Sequence, residues 1–357
     1  MNQSFWRDKR VLITGHTGFK GSWLCLWLQM WGAEVIGYSL PAPTEPSLFA
    51  LARVGDGMNS IMGDVRDLPH LQQVVANYRP EIVIHMAAQA LVRQSYQNPV
   101  DTYNINVMGT VHLLEAVRQG GGVKAIVNVT SDKCYDNREW VWGYRENDPM
   151  GGYDPYSNSK GCAELVTAAY RNAFFDSTDY ARHGVAIATA RAGNVIGGGD
   201  WAQDRLIPDI IRAWHSGQKV TIRYPSAVRP WQYVLEPLSG YLTLAEKLYE
   251  EGIKYNGGWN FGPQDGNAQT VGWVLDKMQV LWGDVPGWQQ ESVPQPHEAN
   301  YLKLDCSKAW SYLQWQPSLD LETALDWLIN WTKTWQSGAE MRQFTLDQIA
   351  KFVTLKY

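Results

Sequence analysis

Thr14-Gly15-His16-Thr17-Gly18-Phe19-Lys20-Gly21 lies between an apolar run at residues 11–14 and a helical pattern at residues 21–31. Its glycines follow the spacing Gly-x-x-Gly-x-x-Gly. Glycines at such positions let backbone N–H groups approach a pyrophosphate at the positive end of a helix. A tight turn would also use glycines, but their place directly after the first strand favours a dinucleotide-binding site.

The residues downstream alternate short β-branched runs with longer amphipathic segments. Strands are predicted at residues 11–14, 34–38, 61–63, 82–86, 125–130 and 185–191, and helices at residues 21–31, 68–78, 102–118 and 157–175. This alternation predicts an α/β protein with a Rossmann-like, doubly wound parallel sheet, which we assign to a dinucleotide-binding domain at residues 1–196. Prolines and glycines then interrupt the periodicity. They predict a smaller, mixed α/β substrate region at residues 197–357, from which some strands could return to the first domain.

The charge balance and the cysteines exclude several classes of protein. The chain of 357 residues carries 31 basic and 36 acidic side chains without a long run of either sign, so nucleic acid is not expected as a partner. Cys25, Cys134, Cys162 and Cys306 show no paired spacing, so neither a metal site nor a disulfide framework is predicted. The sequence shows no secretory signal and no apolar run of the roughly twenty residues that a membrane helix needs, which predicts a cytoplasmic protein.

Three strand ends bear on which dinucleotide is bound. The second strand ends at Ser39, where an acidic residue would normally bind the adenosine ribose. No arginine stands beside Ser39 to favour a 2′-phosphate, so NAD is predicted in preference to NADP. Asp64 follows the third strand and could bind the adenine amino group, although an acidic turn residue is an equally good interpretation. The small residues Ala87 and Ala88, after the fourth strand, would let the backbone approach the cofactor.

A second constellation follows the apolar run at residues 125–129, where Ser131-Asp132-Lys133 brings a hydroxyl, a carboxyl and an amine to a strand end. Tyr156 and Lys160 follow on a predicted helix, and residues four apart share a helical face. A tyrosine with the usual pKa of about 10 is a poor base at neutral pH, but a nearby ammonium and a nicotinamide cation favour the phenolate. The phenolate could then take the proton of an alcohol while hydride leaves the same carbon, with Ser131 holding that alcohol.

These motifs together resemble the extended short-chain dehydrogenases/reductases that act on nucleotide sugars. The resemblance is carried by the glycine loop, Asp64, His85-Met86-Ala87-Ala88, Asn106, Ser131 and Tyr156/Lys160. It covers almost the whole chain, and within the family it points to the 4,6-dehydratases of bacterial deoxysugar (O-antigen and lipopolysaccharide) pathways, with CDP-glucose as substrate and NAD as cofactor. The implied reaction is that of a lyase: hydride leaves C4, water is eliminated across C5 and C6, and the hydride returns to C6.

The resemblance also implies a role for each residue of the constellation. Tyr156 would be the base for the C4 hydroxyl, Lys160 would orient the nicotinamide ribose and lower the tyrosine pKa, and Ser131 would position the C4 oxygen. Asp132 would protonate the departing C6 hydroxyl. Lys133 stands where the better-known dTDP-glucose dehydratases carry a glutamate as the C5 base. We hypothesise that Lys133 takes that role in its neutral form, so that Asp132 and Lys133 hold one proton between them.

The binding residues of the family can be matched to this sequence position by position. The implied cofactor-binding set is Gly15, Thr17, Gly18, Phe19, Lys20, Gly21, Ser39, Asp64, Val65, Ala87, Ala88, Gln89, Asn106, Tyr156 and Lys160. The implied substrate-binding set is Asn194, Arg205, Arg229, Tyr233, Glu298 and Tyr301. Asn194 and Arg229 match diphosphate contacts, and Arg205 is a weaker phosphate candidate. Glu298 and Tyr301 fall in the late nucleotide-binding segment, where related dehydratases place arginine.

Two other functions stay open on the sequence. A 4-epimerase or reductase on the same scaffold needs Tyr156 and Lys160 but no acid/base pair beside Ser131, so Asp132 and Lys133 argue against it. A catalytically idle, NAD-binding regulatory protein would be expected to lack part of the Ser/Tyr/Lys set, which is complete here. The predicted helices at residues 102–118 and 157–175 match those through which the family usually dimerises, so the resemblance implies a homodimer or homotetramer.

Overall fold

A central parallel sheet organises the chain. The computed structural model describes residues 1–291 and 302–356, and among these residues seven strands form the sheet in the order β11-β6-β5-β4-β1-β2-β3. Its strands are β1 (Arg10–Thr14), β2 (Glu34–Ser39), β3 (Asn59–Met62), β4 (Ile82–His85), β5 (Ala125–Val129), β6 (Ala186–Arg191) and β11 (Gly257–Asn260). The order reverses between β1 and β4, which is the switch point where α/β folds of this kind bind ligands. The predicted fold class is confirmed.

Shorter strands lie beyond the sheet's carboxyl edge. They are β7 (Val195–Ile196), β8 (Val220–Ile222), β9 (Val228–Pro230), β10 (Gln232–Tyr233), β12 (Ala268–Thr270) and β13 (Trp288–Gln290). They pair as β10 with β7, β12 with β9, and β13 with β8. One strand of each pair, namely β7, β8 or β9, contributes residues to the lining of the cavity described below.

Helices cover both faces of the sheet. Those of the first half are α1 (Gln3–Trp6), α2 (Phe19–Met30), α3 (Leu48–Leu51), α4 (Leu68–Tyr78), α5 (Val92–Gln97), α6 (Pro99–Tyr103), α7 (Gly109–Gly120), α8 (Pro155–Ala173) and α9 (Tyr180–His183). The second half contributes α10 (Leu206–His215), α11 (Leu235–Glu251), α12 (Val271–Trp282), α13 (Ser307–Leu313), α14 (Leu321–Gln336) and α15 (Met341–Lys356). In the described part of the chain, no helix has the length and apolarity needed to cross a membrane.

Two apolar cores flank the sheet. On one face, Leu71 of α4 and Leu113 of α7 pack against Ile36 and Val83 of the strands. On the other face, a larger core gathers residues of α2, α11, α14 and α15, and several of the chain's 18 tryptophans lie there fully buried. Trp23, Trp27, Trp259, Trp315 and Trp331 are among them. Most tryptophans that we can place therefore contribute apolar area to the core rather than to a ligand cage.

The helix predicted at residues 102–118 differs from the structure. The chain instead forms α6, a π-helical turn at Asn104–Met108, and α7 in direct succession. The π turn adds one residue to the backbone ring, and it turns the Asn106 side chain toward Gln89 and Ser159. Residue periodicity alone does not reveal such an insertion, because the apolar spacing on either side stays close to helical.

Strand β11 comes from the second half of the chain and pairs in parallel with β6, with Trp259 opposite Ala190. Helix α11, also from the second half, packs on β5 and β6. The sheet is thus built from residues on both sides of position 197. The division at residues 196/197 stays a prediction about domains, and in the structure the first 196 residues alone do not complete the sheet.

Candidate active site

The glycine loop after β1 packs closely against neighbouring backbone. Only glycine fits at two of its positions, because a side chain there would collide with that backbone. Gly15 has a φ of 79°, and a Cβ added there would lie 2.8 Å from the backbone nitrogen of Ala87. A Cβ on Gly21 would overlap the carbonyl oxygen of Gly15. Gly18 is the N-cap of α2 and offers no side-chain cap, so the first N–H groups of the helix are available to a ligand. The loop has the shape and donors to hold a pyrophosphate, so these residues fit a dinucleotide.

A buried histidine fixes this loop to the end of β4. The Nδ1 atom of His85 lies 2.6 Å from the Thr14 hydroxyl, which also accepts hydrogen bonds from the N–H groups of Met86 and Ala87 at 3.1 Å each. Burial lowers the pKa of His85 to about 3, so the ring is neutral. From the sequence, His85 was recognised only as part of a motif. The structure shows that it joins the end of β4 to the glycine loop by a hydrogen bond to Thr14.

The polar groups expected at the adenosine end are engaged within the protein. The Ser39 hydroxyl lies 2.9 Å from that of Thr17, which donates to the Leu40 carbonyl. The Asp64 carboxylate binds Arg66 at 2.6 Å, and the guanidinium holds the pKa of that carboxyl below its usual range. In the protein alone Asp64 is therefore an acidic turn residue, which was one of the two interpretations left open. Its contact with adenine stays a prediction.

Gln89 and Asn106 are locked to each other. Asn106 accepts from the Gln89 N–H at 2.9 Å and donates to the Gln89 carbonyl at 3.0 Å and to the Ser159 hydroxyl at 2.9 Å. These bonds tie the segment after β4 to helix α8. Val65, also predicted to contact the cofactor, is buried against Gly109, where an added Cβ would lie 2.7 Å from its side chain.

The predicted catalytic residues share one cavity of about 480 Å³ above the ends of β4, β5 and β6. The predicted site residues that line it are Phe19, Lys20, Ala88, Ser131, Asp132, Lys133, Tyr156, Lys160, Asn194, Arg205 and Arg229. The structure thus gathers residues that are up to 210 positions apart in sequence (229 minus 19). This convergence was expected for the strand ends and for Tyr156/Lys160, since parallel strands end at the same edge.

Helix α8 presents Tyr156 and Lys160 to the cavity. Asp154 caps the helix by accepting the Ser157 N–H at 2.9 Å, and Pro155 occupies the first turn, so the tyrosine stands at a fixed helix start. Burial raises the pKa of Tyr156 to about 12, although a hydrogen bond from Ser131 opposes this shift. Burial lowers the pKa of Lys160 to about 8, and its amine lies 3.4 Å from the Val129 carbonyl. In the protein alone desolvation of the phenol dominates this shift, and the lower tyrosine pKa expected from Lys160 beside a nicotinamide cation stays a prediction.

Ser131, Asp132 and Lys133 sit at the start of a short 3₁₀ turn, Asp132–Cys134. The Ser131 hydroxyl accepts the Lys133 N–H at 3.2 Å and donates to the Asp132 carboxylate at 3.0 Å. Asp132 is buried against Gly193, where an added Cβ would overlap the carboxylate. Gly193 is therefore required, because any side chain at position 193 would displace Asp132. The sequence alone did not reveal this requirement.

A buried ion pair, which sequence reasoning missed, holds both ends of this turn. Arg191 of β6 donates to both carboxylate oxygens of Glu164 on α8, at 2.9 and 2.8 Å. Glu164 also accepts from the Thr130 hydroxyl at 2.5 Å, while Arg191 donates to the Tyr135 hydroxyl at 2.6 Å. We call Thr130, Tyr135, Glu164 and Arg191 the clamp. The catalytic turn lies between its two anchored residues, Thr130 and Tyr135.

Charged residues from the glycine loop and from the segment before α10 reach the same cavity. Arg205 pairs at 3.0 Å with Asp200, whose side chain is 8% exposed, and interacts electrostatically with Tyr156. The Lys20 ammonium lies 5.9 Å from the Tyr241 ring, and burial lowers its pKa to about 8, with Lys160 and Arg205 adding to the shift. The Lys20 side chain thus lies at the reacting end of the cleft, although the glycine motif suggested only a backbone contact. Arg205 thus acts electrostatically on Tyr156, an effect that its assignment as a phosphate contact did not predict.

The predicted substrate residues fall into three groups. Asn194, with a left-handed φ of 50°, and Arg229 line the cavity wall. Tyr233 does not: it is buried in the core between Trp23 and Trp327, and its hydroxyl bonds to Gln348 at 2.8 Å. The predicted contact of Tyr233 with substrate is therefore wrong. Glu298 and Tyr301 lie outside the described residues.

Comparison with known proteins extends these observations. The family model for GDP-mannose 4,6-dehydratase matches residues 12–327. The chain is 58% identical over 354 residues to a CDP-glucose 4,6-dehydratase of Salmonella typhimurium, covering 99% of both chains. It is 25% identical over 362 residues to a dTDP-glucose 4,6-dehydratase of Xanthomonas campestris pv. campestris, covering 96% of this chain and 99% of the relative.

Solved structures agree with the fold. The structure of MoeE5 in complex with UDP-glucose and NAD superposes with a TM-score of 0.77 at 26% identity, covering 92% of this chain and 99% of that one. A dTDP-glucose 4,6-dehydratase from Bacillus anthracis, in complex with NAD, superposes with a TM-score of 0.76 at 20% identity, covering 93% and 98%. At that identity the second likeness concerns the fold alone.

Proposed function

We infer that this chain, which belongs to the GDP-mannose 4,6-dehydratase family, catalyses the NAD-dependent dehydration of CDP-D-glucose to CDP-4-keto-6-deoxy-D-glucose. The observation that carries the inference is 58% identity over 99% of the chain to a protein with that activity. The cavity agrees with it, because Ser131, Asp132, Lys133, Tyr156 and Lys160 all line the same space. The enzyme is accordingly a hydro-lyase.

The chemistry divides into oxidation, elimination and reduction. When bound, NAD accepts the hydride of C4 and returns it to C6, so it is unchanged after each turnover. Oxidation at C4 makes the C5 hydrogen acidic, since it then stands alpha to a ketone. Removal of that proton and loss of the C6 hydroxyl as water give an unsaturated ketone, which the returning hydride saturates at C6.

The residues of the cavity can perform the proton transfers. Tyr156 takes the proton of the C4 hydroxyl as phenolate, and Ser131 holds the C4 oxygen beside it. Asp132 donates a proton to the departing C6 hydroxyl. Its carboxyl group is buried and directed by Ser131, as a positioned general acid must be. The glycine loop, with Gly15 and Gly21, would hold the pyrophosphate of the cofactor.

Lys133 is the proposed C5 base. It follows Asp132 on the 3₁₀ turn and lines the same cavity, so it can reach the carbon next to the one that Asp132 serves. Only a neutral amine can accept the C5 proton. Asp132 in its acid form and Lys133 in its neutral form together hold one proton, the same number as an ion pair between them.

Asn194 and Arg229 are the proposed contacts of the substrate diphosphate. Both line the cavity, and a guanidinium suits bidentate binding of phosphate oxygens. We propose that Arg205 lies nearer the sugar, because its guanidinium interacts with Tyr156. Recognition of cytosine has no residue assigned within the described part of the chain.

A 4-epimerase or reductase on this scaffold is the less favoured function. Such enzymes need Tyr156 and Lys160 but no acid and base at the end of β5. An idle NAD-binding protein is likewise disfavoured by the complete catalytic set in one cavity. Ser39, whose neighbouring segment offers no arginine for a 2′-phosphate, supports NAD over NADP, and a binding titration with both cofactors tests this preference.

The experiment that tests the function is incubation with NAD and CDP-, dTDP-, UDP- or GDP-hexoses, followed by the alkaline absorbance of 4-keto-6-deoxy sugars. We expect product from CDP-glucose in the wild type and none from Tyr156→Phe, which keeps the ring but lacks the base. Absence of product from every nucleotide sugar would refute the dehydratase function. Product from one of the other nucleotide sugars alone would show that CDP-glucose is not the substrate.

The assembly we propose is a dimer formed through α6, α7 and α8. Together with the π turn these helices present exposed apolar side chains, namely Val100 (73% exposed), Met108 (42%) and Leu165 (60%). A second copy related by two-fold symmetry would cover this face. A tetramer built from two such dimers, a place in the cytoplasm and a role in O-antigen sugar synthesis stay predictions from the family resemblance.

A further inference from the structure

Each turnover leaves two residues of the site in the wrong protonation state, provided that the proposed function holds. Tyr156 has gained the proton of the C4 hydroxyl. Asp132 has given its proton to the C6 hydroxyl, which departs as water. C5 loses one proton to the base and later regains one, and the oxidation at C4 is cancelled by the reduction at C6. Before the next turnover, one proton must therefore leave Tyr156 and one must reach Asp132.

Ser131 stands between these two residues. Its hydroxyl donates to the Asp132 carboxylate at 3.0 Å, and it lies near enough to the Tyr156 phenol to oppose the rise in the pKa of that phenol. Ser131 also accepts the Lys133 N–H at 3.2 Å. A hydroxyl has one proton and two lone pairs. Since the Lys133 N–H occupies one lone pair and the Ser131 proton points to Asp132, the remaining lone pair is free to accept the proton of Tyr156.

All three side chains are buried, with Tyr156 9%, Ser131 5% and Asp132 4% exposed. Direct exchange of their protons with bulk water is restricted at such positions. The Ser131 hydroxyl contacts both of the other groups, so it offers a shorter path than bulk water. A hydroxyl can turn, so that it accepts from Tyr156 while it donates to Asp132.

We propose that Ser131 is a proton relay that resets the enzyme by passing the proton of Tyr156 to Asp132. In this step the Tyr156 O–H bond breaks as a new Ser131 O–H bond forms, and the original Ser131 proton moves to the Asp132 carboxylate. Ser131 ends as a hydroxyl, Tyr156 as phenolate and Asp132 as carboxylic acid. The proton removed from C4 in one turnover thus departs with the water of the next.

The test compares the first turnover with later ones, because a residue that only positions the C4 oxygen affects both equally. Ser131→Ala and Ser131→Thr are mixed with CDP-glucose and NAD, and product is followed by rapid quenching. Ser131→Thr, which keeps the hydroxyl, should match the wild type in the ratio of the two rates. For Ser131→Ala we expect a burst of at most one product per site, followed by turnovers slower by roughly tenfold or more, since positioned proton transfer typically contributes about 10²–10⁴-fold.

CDP-6-deoxy-6-fluoroglucose provides a control within the same variant. Fluoride leaves without a proton from Asp132, which therefore stays protonated and cannot accept the proton that Tyr156 took from C4. The relay is then idle in both proteins, so we expect the wild type and Ser131→Ala to show the same ratio of first to later turnovers with this substrate. If Ser131→Ala changes this ratio equally with both substrates, which give the same product, slow product release is the cause and the relay is overturned. An unchanged ratio of first to later turnovers in Ser131→Ala with CDP-glucose would also overturn it. Failure of the proposed function is distinct, because the wild type would then form no product from CDP-glucose at all.

Discussion

Lys133 is the residue at which this chain departs from the dTDP-glucose dehydratases that it resembles. If Lys133 is the C5 base, Lys133→Met should still oxidise C4, because Ser131, Tyr156 and Lys160 are untouched. It should fail to exchange the C5 hydrogen with solvent. Incubation of the variant with CDP-glucose and NAD in deuterated buffer, read by NMR at C5 and by absorbance of the reduced cofactor, checks both halves. Exchange at the wild-type rate would remove Lys133 from the role.

Lys20 should make stability depend on pH. Its folded-state pKa, lowered by burial to about 8 from 10.5, means that the folded state loses its proton first as pH rises. Below pH 8 both states are protonated and the folded state carries the full desolvation cost. Between pH 8 and 10.5 the unfolded state binds more protons, so the wild type gains stability relative to Lys20→Met, by about 2–3 kcal/mol in all.

Urea denaturation of the wild type and Lys20→Met across that pH range measures the difference. The comparison with the variant cancels the titration of the buried cysteines and tyrosines, which both proteins share. A difference in unfolding free energy that stays constant with pH would show that Lys20 is hydrated in the folded protein.

The sequence identifies those site residues whose local spacing is enough to place their functional groups together. Tyr156 and Lys160 are recognisable because a helix brings positions four apart together, and Ser131 because it follows a strand. Glu164 and Arg191 gave no such signal, since their pairing depends on α8 and β6 being neighbours in space. Tyr233 was assigned to the substrate because it follows Arg229 in the family segment, yet its ring belongs to the core. The roles assigned to the remaining site residues stay predictions.

At the scale of elements, the clamp joins β5, β6 and α8 around the catalytic turn. Arg191→Met would leave the Glu164 carboxylate buried without its cation, and breaking such a pair costs about 3–5 kcal/mol. We expect a loss of that size in the free energy of unfolding, measured in urea. The matched control is Arg182→Ala in the exposed pair with Asp179, for which roughly 0–1 kcal/mol is expected. Equal losses in the two variants would contradict a structural role for the clamp.

The bounds of elements were predictable where apolar periodicity and caps agree. The helix at Leu68–Tyr78 has the bounds expected from its pattern, and Asp67 caps it by accepting the His70 N–H. The π turn at Asn104–Met108 was not predictable, because its cause is the pairing of Asn106 with Gln89, which lies on another segment. Local patterns reveal local hydrogen bonds, and this element depends on distant ones.

For the whole molecule, the exposed apolar side chains of α6, the π turn and α8 predict a two-fold interface. Leu165→Lys places a charge at its expected centre and should convert the dimer to monomer, because a buried unpaired lysine opposes association. Leu355→Lys, at a residue of similar exposure (56% against 60%) on α15, is the control and should leave the mass unchanged. Analytical ultracentrifugation at micromolar concentration distinguishes the two. If Leu165→Lys remains a dimer, the interface does not lie on this face.

The parallel sheet and its binding edge were predictable from the alternation of strands and helices over the first half of the chain. The return of β11 to the sheet was not assigned to a segment, because Gly257–Asn260 is short and contains two glycines. Its pairing partner β6 lies about 70 residues earlier, and only tertiary structure brings the two together.

Strand β11 has a consequence for how the chain is made. During synthesis on the ribosome, residues 1–196 emerge before Gly257–Asn260. Until β11 has been made, the edge of β6 that pairs with it has unpaired backbone N–H and C=O groups. The nascent chain is therefore open to wrong pairing with other strands until residue 260 has left the exit tunnel. A gene fragment that stops at residue 196 would keep that vulnerable state permanently, and expression of the cofactor-binding half needs β11 to be included.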